Sequence, residues 1–540
     1  MVTITLNKYK LLNRIRLGEN ELSDLLFKLG CESKVLENEI EIEINANRLD
    51  LLHSAGINRA IDGLLSRKLG IPKYDVYSSD YVFIVKNVRA RPYALAAIVT
   101  GLNFDEEDLK ELIQFQEKLH DTIGRRRKKV AIGLHDLSKV DSKTIVYREA
   151  SLDERFVPLN GNEKLSIKEI LNVTEQGKLY GNISLYDNTM PVIAEDNGQI
   201  LSMPPVINSD KTKLDLSTKD LFIDVTGTSL TAVAQTLDVL VSNLAELGGK
   251  IGIVKVVSTY ADKSPFLATS KINVKPSYLV DRLGIQLSLN ELIDNLLKAR
   301  LDARYNEDVD QIEVTVPPYR PDIFREIDIV EEIAMSYGYE NVPLRGYISP
   351  TPGDLSWKTK VSRKIRDLSI GAGFQEILTF VLTSKNLILD KNFAEISNPI
   401  SDLYNAVRNS LIPQLLYFLS KNQHARFPIK VFEVGEVSIK DEESDTGFIN
   451  SLRVAYGVMD SKVSYEDLQA LVHQILINLG LKLGYKRCDN ELFIRGRGAC
   501  ILNDGKVIGI LGEVNPEVFL RFEITYPVAI AEIYLDFLQR

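Results

Sequence analysis

The sequence predicts an α+β chain built from several domains, and three observations carry that expectation. Its 540 residues exceed what one hydrophobic core serves, so about three or four domains are expected. Runs with the period-two alternation of strands and runs with helical periodicity follow one another from end to end. Hydrophobic residues make up 45% and charged residues 26%, the balance of an ordinary soluble globular protein.

Residues 1–80 read as a mixed α/β module. It has a capped helix from Asn20 to Gly30, an alternating strand EIEIEIN at 39–45, and a helix over 53–69 stopped by Gly70 and Pro72. From 82 to 257 short strands dominate, namely YVFIVKNV, ALAAIVTGL, KVAIGLHDL, QILSMPPVI, LFIDVTGT and KIGIVKVVS, with helices near 106–123 and 229–247. Residues 268–345 form a compact unit. Strand KINV leads to PSYLVDRLG, where Pro276 suits a first helical turn and Gly284 a C-terminal cap. SLNE at 288–291 is a capping box that opens the helix LNELIDNLLKA, and RLDARY and QIEVTV form a hairpin. Helix, turn, helix and β-wing is a winged-helix-like order. Pro350, Pro352 and Gly353 mark a linker into 350–540, a further α+β domain. Its strands EILTFVL, IKVFEVGEV, RVAYGVM, KVIGILGEV and PVAIAEIYL alternate with helices near 356–370, 408–424 and 464–480.

The N-terminus MVTITLNKYK has no apolar signal core, and no apolar run approaches the ~20 residues of a membrane span. The three cysteines, Cys31, Cys488 and Cys500, are odd in number and widely spaced, which argues against a disulfide framework or a zinc site and fits a reducing cytoplasm. A formal charge of −9 weighs against nucleic-acid binding, yet GRRRKK at 124–129 is a local basic run. His120 and His135 flank it without the neighbours a metal site needs. The helix LNELIDNLLKA carries more acids than lysines, a poor composition for approaching phosphates.

The segment RPDIFREIDIVEEIAMSYGYE at 320–340 holds the densest set of carboxylates. Val330, Ile333, Ala334 and Tyr337 recur at i, i+3, i+4 and i+7, so a helix with one buried face is expected. Asp328, Glu331 and Glu332 share a face, and Asp328-x-x-Glu331 has capping-box spacing with Asp328 as the N-cap. In a continuous helix Asp322 would be turned roughly 240° from Asp328, so it joins the others only if RPDIFRE folds back. Two readings stand at this point: a capped helix with solvated acids, or an all-oxygen site for Mg²⁺ or Ca²⁺.

QEKLHDTIGRRRKKVAIGLHDL (116–137), ILSMPPVINSDKTK (200–213), LFIDVTGT (221–228) and VPPYRPDIFREIDIVEEIAMSYGYENV (316–342) together resemble the phenylalanyl-tRNA synthetase β-subunit family in its archaeal and eukaryotic form. NRLDLLHSAGINRA (47–60) also resembles a family segment, with Leu49 standing where this branch often has Pro. The resemblance covers nearly the whole chain. It implies that Asp322, Asp328, Glu331 and Glu332 bind Mg²⁺ near an α subunit, and that 82–257 is a tRNA-editing domain. It also implies that 350–540 is a degenerate class II catalytic core, with ATP bound in the α subunit of an (αβ)₂ heterotetramer acting on tRNA(Phe). In agreement, IKVFEVGE (429–436) lacks an Arg-x-Glu pair and ILGEVNPE (510–517) has no arginine for phosphate.

A phenylalanine pocket rejects tyrosine only about 10²-fold, so a second hydrolytic site has a physical reason to exist. The resemblance carries Asn208, Asp224 and Thr226 into that site. The basic run Arg125, Arg126, Arg127, Lys128 and Lys129 reads either as a contact for tRNA phosphates or as a solvated loop. Without a Ser–His–Asp or Cys–His pattern in the sequence, attack by water is expected. Two rivals remain at this level: a free-standing aminoacyl-tRNA deacylase and a winged-helix nucleic-acid-binding protein.

Overall fold

A computed structural model describes residues 1–344, 346 and 351–539. The chain divides into two compact units, 1–346 and 347–540, in a mixed α/β architecture. Pro350 of the expected linker lies outside the described residues.

In the first unit, strands Val2–Asn7, Glu39–Ile44 and Glu32–Val35 lie side by side in that order as an antiparallel sheet. EIEIEI follows the strand period strictly: Ile40, Ile42 and Ile44 are buried and the glutamates turn away. The first strand, VTITLN, alternates in the same way and was not anticipated. The helix expected over 53–69 is shorter, spanning Ser54–Leu64.

A ten-stranded mixed sheet follows. Its main path runs Ile207–Asn208, Ile200–Met203, Thr189–Glu195, Thr144–Ser151, Val76–Val85, Lys250–Val257, Tyr93–Thr100, Leu221–Gly227, Val130–Asp136. Thr144–Ser151 and Thr189–Glu195 are strands that the sequence reading omitted. QILSMPPVI is one strand in the sequence reading and two in the structure, because Pro204 and Pro205, which have no N–H to give the ladder, separate Ile200–Met203 from Ile207–Asn208. Helix Leu230–Glu246 packs on the Tyr93–Thr100 and Leu221–Gly227 strands, whose residues from Ala94 to Val99 and Leu221 to Gly227 are buried throughout.

Residues 270–337 have their own apolar core, with Leu279, Leu292, Leu296, Ile312, Val314, Ile329 and Ile333 at its centre. Strands Ser270–Val274, Gln311–Val316 and Asp302–Asn306 form an antiparallel sheet in that order. Helices Pro276–Leu283, Leu289–Lys298 and Glu326–Tyr337 cover it. Gly284 caps the first helix at φ 69°, a left-handed value that glycine adopts without penalty, and Ser288 with Glu291 closes a capping box on the second.

The second unit carries a seven-stranded sheet in the order Gln375–Glu376, Ile429–Lys440, Phe448–Met459, Val528–Tyr534, Lys506–Val514, Phe493–Asn503, Leu483–Arg487. Alternate residues feed two cores: Phe432, Val454 and Tyr456 in one, Val431, Ala455 and Ile530 in the other. EILTFVL is not the continuous strand its composition suggests. Only its ends pair, the Thr379 N–H and hydroxyl go to the Glu433 carboxylate, and Leu378 and Phe380 are exposed. Among the described residues no helix is long and apolar enough to cross a membrane.

Candidate functional sites

Strand Leu221–Gly227 lies between Tyr93–Thr100 and Val130–Asp136, with Asp224 opposite Ala96 on one side and Gly133 on the other. Gly133 makes room for the acid: a Cβ there would lie 2.0 Å from Asp224 Oδ2. Asp224 is buried, and its Oδ2 is 2.9 Å from His135 Nε2, while His135 Nδ1 is 2.6 Å from Thr212 Oγ1. The pairing assigns the tautomer. A carboxylate only accepts, so Nε2–H donates to Asp224, and in the neutral ring Nδ1 then accepts from the Thr212 hydroxyl.

Asp224 faces a cavity of about 350 Å³. Its walls are mixed, with Ile132, Leu134, Met203, Pro205, Val206 and Leu214 beside polar residues that include Gln116, Glu117 and Asn160. Asn208 lines it too, with its side-chain NH₂ donated to the Leu134 carbonyl at 3.1 Å. Ser202, directly across the ladder from Asn208, also lines the cavity, and its hydroxyl is buried with no hydrogen-bond partner among the described residues. Thr226 is fully buried, and its hydroxyl accepts from Arg91 Nε at 3.3 Å, away from the cavity lining.

The sequence reading missed Ser202, Thr212, Gly133 and the His135–Asp224 pairing. A signal for Ser202 existed, since ILSM puts one hydroxyl into a strand otherwise apolar. His120 has a structural role, its Nε2 accepting from Ile132 N–H at 2.8 Å.

The basic run divides. Arg125, Arg126 and Lys128 are exposed and Lys129 is half-buried. Arg127 departs from the expected solvent-facing contact. It donates to the Pro205 and Val206 carbonyls at 3.1 and 3.2 Å and to Glu117 at 2.7 Å, and its guanidinium lies 4.5 Å above the Tyr180 ring. It holds the cavity wall because three acceptors and an aromatic face converge on it, a match to the planar guanidinium that solvent does not offer.

The four acids of 320–340 line one cavity of about 470 Å³, together with Arg48, Asn45 and Asn47 of the N-terminal module. The RPD segment folds back, with Arg320 N–H bonded to the Pro317 carbonyl. Asp322 thereby reaches the helix face, and a cation is present there that the sequence reading overlooked. The buried Arg320 donates to Asp322 Oδ1 at 3.0 Å and to Glu332 Oε2 at 2.9 Å. Asp328 is not the N-cap, because the helix starts at Glu326 and places Asp328 at its third position. From there its Oδ2 accepts from the Phe324 and Arg325 N–H groups at 2.7 and 2.8 Å. Glu331 is exposed. Among the described residues no three His, Cys, Asp or Glu side chains are grouped to hold a metal ion. The all-oxygen donor set suits a hard cation that keeps most of its water, and two of the four donors already have Arg320 as partner.

In the second unit a broad cleft of about 1290 Å³ has Glu532 and Arg453 on its sheet floor. Glu532 accepts from Arg453, from the Ser410 hydroxyl and from the Leu411 N–H. Arg453 is thus already paired, as is Arg408, which is bonded to Glu433 at 2.6 Å.

Three segments match known families: residues 112–243 the B3/4 domain, 272–339 the tRNA synthetase B5 domain, and 347–535 the phenylalanyl tRNA synthetase beta chain CLM domain. The chain is 57% identical over 539 residues to a phenylalanine–tRNA ligase beta subunit of Saccharolobus solfataricus, covering 99% of this chain and 98% of that one. It is 54% identical over 543 residues to the Sulfurisphaera tokodaii protein of the same description, covering 99% of each. Among solved structures, an N-terminal fragment of the phenylalanyl-tRNA synthetase beta subunit from Pyrococcus horikoshii superposes with a TM-score of 0.60 at 34% identity, covering 63% of this chain and all of the fragment. With matches of this length and identity, this chain belongs to the phenylalanine–tRNA ligase β-subunit family.

Proposed function

We propose that this protein is the β subunit of a cytoplasmic phenylalanine–tRNA ligase. In this reading it works with an α subunit in an (αβ)₂ heterotetramer that consumes ATP to charge tRNA(Phe) with phenylalanine. Activation takes place in the α subunit. The pairing of Arg453 with Glu532 and of Arg408 with Glu433 supports this, since neither guanidinium is free to meet a phosphate.

The β chain hydrolyses tyrosine from mischarged tRNA. One observation carries this reading: a buried carboxylate, Asp224, bonded to His135 and lining a cavity of mixed polar and apolar walls. The His135 N–H engages Oδ2 and leaves Oδ1 to accept a phenol proton. Phenylalanine would leave that acceptor unpaired, so the same group that admits tyrosine disfavours phenylalanine. Asn208 is placed to hold the ester or the attacking water. Thr226 acts through Arg91 as a positioning residue.

The modules are 1–80, mixed α/β; 82–257, editing; 268–345, winged-helix-like; and 350–540, a catalytic-core-like scaffold. Asp322, Asp328, Glu331 and Glu332 hold a hydrated Mg²⁺ beside Arg320 in a structural role. Arg125, Arg126, Lys128 and Lys129 meet tRNA phosphates.

The deciding experiment assays Asp224→Ala in the α–β complex. Clearance of Tyr-tRNA(Phe) should fall while Phe-tRNA(Phe) formation stays intact, and undiminished clearance would refute the role of Asp224.

A further inference from the structure

All three cysteines are free thiols, and the fold brings two of them together. Leu483–Arg487 is the edge strand of the seven-stranded sheet and pairs with Phe493–Asn503. Lys486 stands opposite Cys500, and the ladder runs on past the end of the strand, where the Cys488 N–H donates to the Gly498 carbonyl at 3.1 Å. Side chains two apart on a strand share a face, so Cys488 and Cys500 are diagonal neighbours on one side of the sheet. Their thiols are in hydrogen-bond contact, and burial together with that contact pushes Cys488 up to about 11. Two touching thiols do not ionise together: the first thiolate accepts the S–H of its neighbour, which then keeps its proton. Both are half-buried, whereas Cys31 is buried in the core of the first unit.

The pair also has a structural setting. Cys500 stands opposite Ile510 and Ile510 opposite Glu532, so the cysteines extend the row of side chains on the floor of the Arg453–Glu532 cleft. Tyr534, whose ring lies 4.5 Å from the Arg453 guanidinium, is an electrostatic neighbour of both thiols. Beyond Cys488 the chain joins the cleft wall through Asn490, Glu491 and Leu492. An edge strand is held by a ladder on one side only, so it is a part of the sheet that opens readily.

We propose that Cys488 and Cys500 are a redox-reactive dithiol that closes to an intramolecular disulfide on meeting a low-molecular-weight disulfide, fastening the edge strand and the adjoining cleft wall to Phe493–Asn503. One cysteine thiolate attacks a sulfur of the small disulfide and expels one small thiolate. The other cysteine then attacks the protein sulfur of the mixed disulfide and expels the second. The cysteine pair loses two electrons and two protons, and the small disulfide takes up both and leaves as two thiols. In a reducing compartment the pair rests as the dithiol and closes when small disulfides accumulate. Two thiols already in contact meet the geometric demand of the bond most readily.

The test exposes the α–β complex to excess 2-hydroxyethyl disulfide, alkylates the remaining thiols and reads peptide masses. The peptides carrying Cys488 and Cys500 should appear joined, at their combined mass less two hydrogens, with Cys31 still alkylated. Dithiothreitol should restore both alkylation sites. In Cys500→Ser, checked for folding by thermal melting, Cys488 should instead retain the small-thiol adduct, because no second thiol displaces it. Unreacted thiols in the wild type, persistent adducts on both cysteines, or a bond between two chains would overturn the proposal without recourse to any variant. Amide hydrogen exchange over Leu483–Arg487 should slow in the oxidised chain and recover on reduction, and unchanged exchange overturns the fastening of the edge strand.

Discussion

His135 Nε2 and Asp224 Oδ2 lie 2.9 Å apart although the residues are 89 positions apart in the chain, and the imidazole is fixed from behind by Thr212. The Thr212 hydroxyl sets which ring nitrogen carries the proton. Replacing it by valine leaves Nδ1 buried without a donor, a loss of about 1–3 kcal/mol. Thr212→Val should lower the melting temperature and also slow Tyr-tRNA clearance, while Phe-tRNA formation is unchanged. A stability loss with normal clearance would show that His135 does not orient the acid.

Gly133 offers a sharper probe. An added methyl group would meet Asp224 Oδ2 at 2.0 Å and His135 Nε2 at 3.0 Å. The neighbours are part of a paired strand and cannot retreat far, so Gly133→Ala should destabilise by about 1–3 kcal/mol. Clearance of Tyr-tRNA should fall as in Asp224→Ala, measured by deacylation under single-turnover conditions.

The acids of 320–340 separate into partners of Arg320 and a helix cap. Arg320→Leu leaves Asp322 and Glu332 buried without their counter-charge and should destabilise by about 3–5 kcal/mol. Added Mg²⁺ should then raise the melting temperature of that variant more than that of the wild type. Asp328→Asn keeps an acceptor oxygen for the Phe324 and Arg325 N–H groups, so most of the cap's ~1 kcal/mol should survive. Loss of a formal charge should weaken Mn²⁺ binding, read from the anomalous signal of soaked crystals or from titration calorimetry.

Asp238, on helix Leu230–Glu246, is pushed up to about 7 by burial, although the Phe266 and Leu267 N–H groups partly favour its charge. The folded state therefore holds a proton that an unfolded carboxyl, with its ordinary value of 3.8, releases. Between about pH 4 and pH 7 the native chain binds the extra proton, so stability falls as pH rises through that window and the full penalty is present above it. Asp238→Asn should flatten the pH dependence of denaturation between those limits, by on the order of 2–4 kcal/mol at its upper end.

Local signals in the sequence translated well into structure. EIEIEI, the Ser288 capping box and the Gly284 cap each depend on neighbours within four residues, and each forms as its pattern dictates. Asp224 and Asn208 stand on one cavity, as do the four acids on another. The failures are non-local. Arg320 stands two residues from Asp322 in sequence, yet its second partner, Glu332, lies 12 residues away and meets it only after the RPD turn folds back. Arg127 looks like its exposed neighbours in sequence, and the arrival of the Pro204–Pro205 segment, 78 residues on, gives it two of its three acceptors. EILTFVL has strand composition, but Glu433 from a distant strand takes the Thr379 N–H. The helix begins three residues before the expected cap because its N-cap, Arg325, is not a residue type that announces a helix start.

The placement of Asp224 opposite Gly133 also bears on how the chain is made. A ribosome adding ~5–20 residues per second delivers the Leu221–Gly227 strand roughly 4–18 s after Val130–Asp136 has emerged. During that interval Ile132 and Leu134 form one wall of a cavity whose floor does not yet exist, along a strand whose ladder partner is unmade. Formation of the Asp224–His135 pair in a nascent chain would therefore report completed long-range pairing.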